Sequence, residues 1–531
     1  MSTSAAPASS LRQAAPASSL RHALRLALLF AAVKLAIQIG INLVAPHFGY
    51  SLFRDELYYI DCGRHLAWGY VDHAPMVALQ ARIADTLFGH THLWAFRLIS
   101  AMAGAGMVFL TGLLAWSMGG GKGAQILAML GSLAAVVNLP LDGYLSMNSF
   151  EPVFWMTGML SLIMVARGGS PRWWLLFGLA SGLGLENKHT EVFFLVALLI
   201  ALLLSPQRRL LRSRYAAAGI ALIFALALPN LLWQWHHHFP TWEWLQRISR
   251  LHKNVVLGPA AFLWQQVFVL NPLAFPLWLG GVLWLLFSAR ARRFRFVGLT
   301  YVVFLPLMFA LHAKDYYLAP IYPAYFAAGG VVCLALLTKT WQRRVLLPIY
   351  VFLFCALAVI GAPAIAPLLP WDRYDAYTAA THLRPRDSER FARIRQPQFL
   401  ADMTSWPQFT AQMAAAYNAL PPDVRARTFI YCGDYGQAGA IDVLGPQYGL
   451  PHAISGHMNY WLWGPQGQLT DSMLVIGQSR EDVEKSYRHV RQVGRIDTPW
   501  SMPDENGLPI WYATGRYRSV AEIWPTTKNW Y

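Results

Sequence analysis

Long apolar stretches alternate with short polar ones along the first 370 residues, and the alternation stops beyond that point. A membrane-spanning helix needs roughly 20 largely apolar residues. Such stretches fall at 22–44, 93–117, 124–141, 150–166, 172–187, 190–204, 215–235, 261–287, 297–312, 318–338 and 345–369. The pattern therefore predicts an all-α polytopic membrane region of about eleven helices. Between the fifth and sixth, the run Glu186-Asn187-Lys188-His189-Thr190-Glu191 reads either as a tight outer turn or as a break within one helix.

Residues 371–531 are richer in Pro, Gly, Asp and polar side chains and are numerous enough to form a domain. Apolar residues recur with helical spacing over 406–420, Thr428–Cys432 reads as a strand, 473–476 as a second strand, and the charged run 480–490 as a helix. Strands alternating with helices predict a small α/β domain. The glycine-rich segment 433–439 after the first strand fits a strand-to-helix turn, with an anion cradle as the second reading.

Composition supports the membrane assignment: 56% of the residues are hydrophobic and 13% charged, against about 25% charged in ordinary soluble domains. The net charge of +16 would suggest nucleic acid in a soluble protein. Here the basic residues fall instead in short loops on alternate sides, at Arg12 and Arg21, Lys122, Arg167 and Arg172, Arg208 to Arg214, Arg290 to Arg293, and Lys339 to Arg344. These loops hold no Asp or Glu, and by the positive-inside rule they are cytoplasmic. The expectation is a multi-pass protein of the plasma (inner) membrane, with a cytoplasmic N-terminus and an extracytoplasmic tail domain after an odd number of spans. Residues 1–20, rich in Ala, Ser and Pro, read as a disordered cytoplasmic tail. The apolar run after them is long enough to span, unlike a cleavable signal. The four cysteines lack metal-ligand spacing; Cys62 and Cys432 both fall outside and could pair.

The chemistry concentrates at the outer level. The first outer loop, 45–92, is much longer than the cytoplasmic turns, and its mix of acidic and aromatic residues suits amphipathic helices along the membrane surface. Adjacent carboxylates at Asp55 and Glu56 lie just past the first span, where charge is costly and usually serves an ion, a proton or a substrate. Asp72 is placed with the substrate, a solvated surface position being its alternative. Polar groups recur at the same depth at Asp142 and Glu151, at Lys188 and His189, at His252-Lys253-Asn254, and at Lys314. Cations facing two carboxylates match an anionic lipid headgroup opposite a general base. Asp55, Glu56, Asp72 and His73 could also offer ligands to a divalent metal, although no compact spacing demands one.

The carboxylate pair, the segment Gly69-Tyr70-Val71-Asp72-His73-Ala74-Pro75-Met76, Asn187-Lys188-His189 and Lys314-Asp315-Tyr316-Tyr317-Leu318-Ala319-Pro320 together resemble glycosyltransferase family 39 and the aminoarabinose-transferase-like proteins of the GT-C superfamily. The resemblance spans about residues 22–340 and implies transfer of a sugar from a polyprenyl phosphate, at the outer face and with inversion, to a lipid, glycan or protein acceptor. It further implies that Asp55 is the catalytic base with Glu56 as its partner. By the same resemblance, Lys314 contacts the lipid phosphate beside Tyr317 as a hydrogen-bond donor, with Lys188 and His189 at the same headgroup. The tail resembles neither the inserted domain of protein mannosyltransferases nor that of lipid A aminoarabinose transferases, which leaves the acceptor open. The rival class is a transporter or lipid flippase, which would set ionisable groups near the bilayer midplane within internal repeats. Lys34, mid-span, is the residue that fits it, unless it pairs inside the bundle. A scaffold presenting the outer domain would leave the Asp55 loop unexplained.

Overall fold

The structure, a computed structural model, describes residues 19–251, 255–387, 389, 395–467 and 470–530. Residues 1–18 of the predicted tail and His252-Lys253-Asn254 lie outside them.

Among the described residues, seven of the predicted apolar stretches form helices long and apolar enough to cross a membrane: Leu20–Phe48, Leu98–Ser117, Met147–Ala166, Arg214–His236, Ala289–Ala310, Asp315–Leu336 and Gln342–Ile365. Two more do so only as bent pairs, Glu191–Leu204 with Pro206–Arg212 (111°) and Pro259–Phe268 with Pro272–Phe287 (93°). Each bend comes at a proline, which removes a backbone donor and ends the preceding helix. The stretches at 124–141 and 172–187 give helices of 13 and 15 residues, Lys122–Ala134 and Trp173–Asn187. The interruption at 186–191 is a turn between two helices: one ends at Asn187 and the next begins at Glu191.

Lys34 is buried inside the bundle, with Nζ 2.8 Å from Asp142 and donating to the Asn138 carbonyl at 2.9 Å. A mid-span cation thus has a matched anion and serves packing between helices.

Beyond the bundle stands a five-stranded sheet of order β2-β1-β3-β5-β4, comprising β1 (Thr428–Cys432), β2 (Ala453–Ser455), β3 (Ser472–Ile476), β4 (Tyr487–Arg495) and β5 (Pro509–Arg516). β2, β1 and β3 are parallel; β5 and β4 add antiparallel. The expected helix over 480–490 is corrected: Arg480–Glu484 is one short helix, and the rest belongs to edge strand β4. Its charged residues face solvent beside an open edge, where charge discourages further pairing.

The helix expected over 406–420 forms as Trp406–Asn418. Segment 433–439 is a strand-to-helix turn leading into Tyr435–Leu444. Asp434 caps that helix itself, its carboxylate accepting from the amides of Gly436 and Gln437, so the helix start already holds an anion. The glycines permit close packing on the outer-loop helix Arg54–Arg64: a Cβ at Gly436 would lie 2.4 Å from the Arg54 side chain, and one at Gly439 3.0 Å from the Leu57 backbone.

Arg54–Arg64 was expected on the membrane surface. It is instead buried from Glu56 to Gly63, between the helices Met76–Phe88 and Tyr435–Leu444. Leu57, Tyr58 and Val71 of the outer loop share one hydrophobic cluster with Trp406, Ile430, Ile441 and Leu474 of the tail. Met76–Phe88 does carry an exposed apolar stripe, Leu79, Ile83 and Leu87, at the four-residue spacing of one helix face.

Candidate active site

Asp55 and Glu56 open the same helix, yet the backbone turns them to different surroundings. Glu56 is fully buried and saturated: it accepts from the amides of Phe53 (2.8 Å) and Leu145 (2.7 Å), and Arg97 donates to it from Nε (2.9 Å) and Nη2 (2.6 Å). Neither side chain of this ion pair reaches solvent. Both oxygens of Glu56 are thus engaged within the protein, fastening the outer loop to the bundle. Arg97 went unread as a site residue. A lone cation at the lip of an apolar stretch, opposite two adjacent carboxylates, was the signal.

Asp55 is half-buried, and its Oδ1 accepts from the hydroxyl of Tyr435 at 2.8 Å. The Tyr435 ring lies 4.7 Å from that of Tyr58, whose hydroxyl donates to Asp72 at 2.9 Å. Asn459 of the tail donates to Asp72 (3.3 Å) and also bonds the Tyr58 hydroxyl. Burial raises the Asp72 carboxyl above the usual range, opposed by His73 and by the bond from Tyr58.

Lys314 is held 2.5 Å from Glu389. Burial works to lower its ammonium, but Glu389, Tyr317 and Asp55 outweigh it and raise the group above its ordinary value. Lys188 sits over the ring of Tyr317, with Nζ 4.4 Å from the centroid, and pairs with Glu151 at 2.8 Å and Asn148 at 2.9 Å. Asp55 and Asp72 are thus linked through Tyr435, Tyr58 and Asn459, while Lys188 lies over Tyr317 and both Tyr317 and Asp55 act electrostatically on Lys314.

His189 follows Lys188 in the chain and meets a different partner. Its Nε2 lies 3.4 Å from Asn230 Oδ1, and burial lowers the imidazole below its ordinary value, which favours the uncharged form. His73 is buried, its Nδ1 2.9 Å from the Ala74 carbonyl. The potential metal ligands are accordingly dispersed, and among the described residues no three His, Cys, Asp or Glu side chains stand in a metal-holding group. Cys62 and Cys432 are both free.

Residues 72–233 match the family model described as dolichyl-phosphate-mannose-protein mannosyltransferase. The fold is similar to that of ArnT from Cupriavidus metallidurans bound to undecaprenyl phosphate, with a TM-score of 0.59 and 13% sequence identity over 91% of this chain and 97% of that one. The apo state of the same protein gives a TM-score of 0.57 and 15% identity over the same shares. Coverage this wide cannot be reached without including part of residues 371–531, so the match in fold extends into the tail. No curated protein matches the chain in sequence. A family model over residues 72–233 and the similarity in fold to ArnT both agree with the resemblance to GT-C glycosyltransferases.

Proposed function

We propose that this chain transfers a sugar from a polyprenyl-phosphate donor to an acceptor at the outer face of the membrane, with inversion at the anomeric carbon. The observation that carries the reading is the division between the adjacent carboxylates: Glu56 is sealed by Arg97, while Asp55 stays half-exposed within electrostatic range of Lys314.

In this mechanism Asp55 takes the proton of an acceptor hydroxyl, which attacks the anomeric carbon on the face opposite the phosphate. The new carbon–oxygen bond forms as the bond to the phosphate oxygen breaks, and the bonding electrons leave with the lipid phosphate. Lys314 stabilises the charge gathering there. That it already grips the Glu389 carboxylate at 2.5 Å supports an anion site at its ammonium. The Tyr317 hydroxyl donates to the same phosphate, and Lys188 adds positive potential through its position over the Tyr317 ring. Asp72 holds sugar hydroxyls.

The apolar segments are read as about eleven spans in the plasma (inner) membrane, with the N-terminus cytoplasmic, a catalytic region over 21–370 and an extracytoplasmic domain over 371–531. The buried pairing of Lys34 with Asp142 weighs against the transporter reading.

Mass spectrometry of envelope glycolipids and glycans from cells with and without the chain tests the proposal. A sugar present only with the chain supports it and identifies donor and acceptor class together; identical profiles argue against it.

A further inference from the structure

The α/β domain meets the outer loop through the helix Tyr435–Leu444, which follows β1 and packs on Arg54–Arg64. In parallel sheets, functional residues gather where strands end and helices begin. The segments leaving the carboxyl ends of β1 and β2 carry Tyr435, His457 and Asn459, and two of these reach across to loop carboxylates. Tyr435 bonds Asp55, and Asn459 bonds Asp72.

Tyr435 is fixed on several sides. Its amide donates to His457 Nδ1 at 3.1 Å, and the two rings stack at 5.1 Å. The Arg54 guanidinium lies 5.2 Å from the ring centroid, and Arg54 is in turn 3.9 Å from Asp402. Gly436 and Gly439 let the following helix approach the one bearing Asp55 more closely than any side chain would permit. A hydroxyl held this way restricts Asp55 to one rotamer and leaves its second oxygen for another partner.

We propose that Tyr435 is a positioning residue for Asp55, so that the α/β domain supplies part of the catalytic machinery as well as a cover. This rests on the reading of Asp55 as the base. Tyr435→Phe removes the hydroxyl that bonds Asp55 and keeps the ring that stacks on His457. The other groups in the electrostatic field of Asp55 are Arg54, Tyr59, Asp72, Tyr144, Lys314 and Asp402, and all remain in that variant.

The test needs no knowledge of the sugar. Full-length protein in native membranes is treated with the carboxyl reagent dicyclohexylcarbodiimide, and the labelling rate at Asp55 is read by peptide mass spectrometry. The rate should change about threefold or more in Tyr435→Phe, where Asp55 has lost its partner, and the sugar-dependent glycolipid signal in cells should fall about tenfold or more. Gly439→Val, which wedges the two helices apart, should change the labelling rate in the same direction. An unchanged labelling rate with wild-type product in Tyr435→Phe overturns the proposal. Asp55→Asn, run in parallel, separates the two readings: if it is inactive while Tyr435→Phe is wild-type, the positioning role alone fails. If Asp55→Asn is itself active, the base reading fails and takes the positioning role with it.

Discussion

Arg97 closes on Glu56 at 2.6 Å where neither side chain meets solvent, and this pair sets the surroundings of Glu56 apart from those of Asp55. A buried carboxylate with four donors is a structural fastener. Its neighbour, one residue earlier, is half-buried and bonded by the Tyr435 hydroxyl. Removing one member of a buried ion pair leaves the other charged and unsatisfied.

Arg97→Ala should therefore cost about 3–5 kcal/mol of stability. The expected readout is loss of the full-length protein from the membrane fraction, or a sharply lower melting temperature in detergent. Wild-type accumulation and melting would show that the pair does not hold the outer loop in place.

Lys34 and Asp142 give a contrasting test inside the bundle. Lys34→Met alone should impair folding, whereas Lys34→Met with Asp142→Leu should recover most of it, because a buried pair can be exchanged for apolar residues at little cost. Glycolipid product should return with the double variant. A double variant that folds but makes no product would assign Lys34 a functional role.

The Lys314–Glu389 pair sets two variants in opposition. Lys314→Ala should raise the apparent KM for the polyprenyl-phosphate donor about tenfold or more, the value of one charge-assisted bond. Glu389→Gln should lower it, since the donor phosphate then faces a weaker competitor. Equal donor kinetics in all three proteins would remove Lys314 from the phosphate site.

Stability should also depend on Asp402, buried with Arg54 as its ion-pair partner. Burial raises its carboxyl to about 7, opposed by Arg54 and reinforced by Asp55. Between the ordinary carboxylate range and about pH 7 the folded state then holds a proton that the unfolded chain has released, so stability falls as pH rises through that window and levels off above it. The loss is at most about 4 kcal/mol for this group. Asp402→Asn should flatten the melting-temperature profile over the same window; an unchanged slope would place its origin elsewhere.

The sequence carried the local features and missed the distant pairings. Apolar runs announced the membrane helices, and Thr428–Cys432 announced the first strand, because span length and alternation are local properties. The charge pair at 55–56 marked a candidate site for the same reason. Tyr435 lies 380 residues from Asp55, Glu389 75 from Lys314 and Arg97 41 from Glu56. No periodicity encodes such meetings. The charged run at 480–490 misled because an edge strand and a surface helix both expose polar residues, and what separates them is pairing with β5.

The most direct test of the central claim is the product made by Asp55→Asn, a nearly isosteric change that keeps an acceptor for the Tyr435 hydroxyl but removes the base. With protein levels and membrane insertion matched to wild type, the sugar-bearing glycolipid should disappear from envelope mass spectra, at least a hundredfold down. Wild-type amounts of that product from Asp55→Asn would contradict the assignment of Asp55 as the catalytic base.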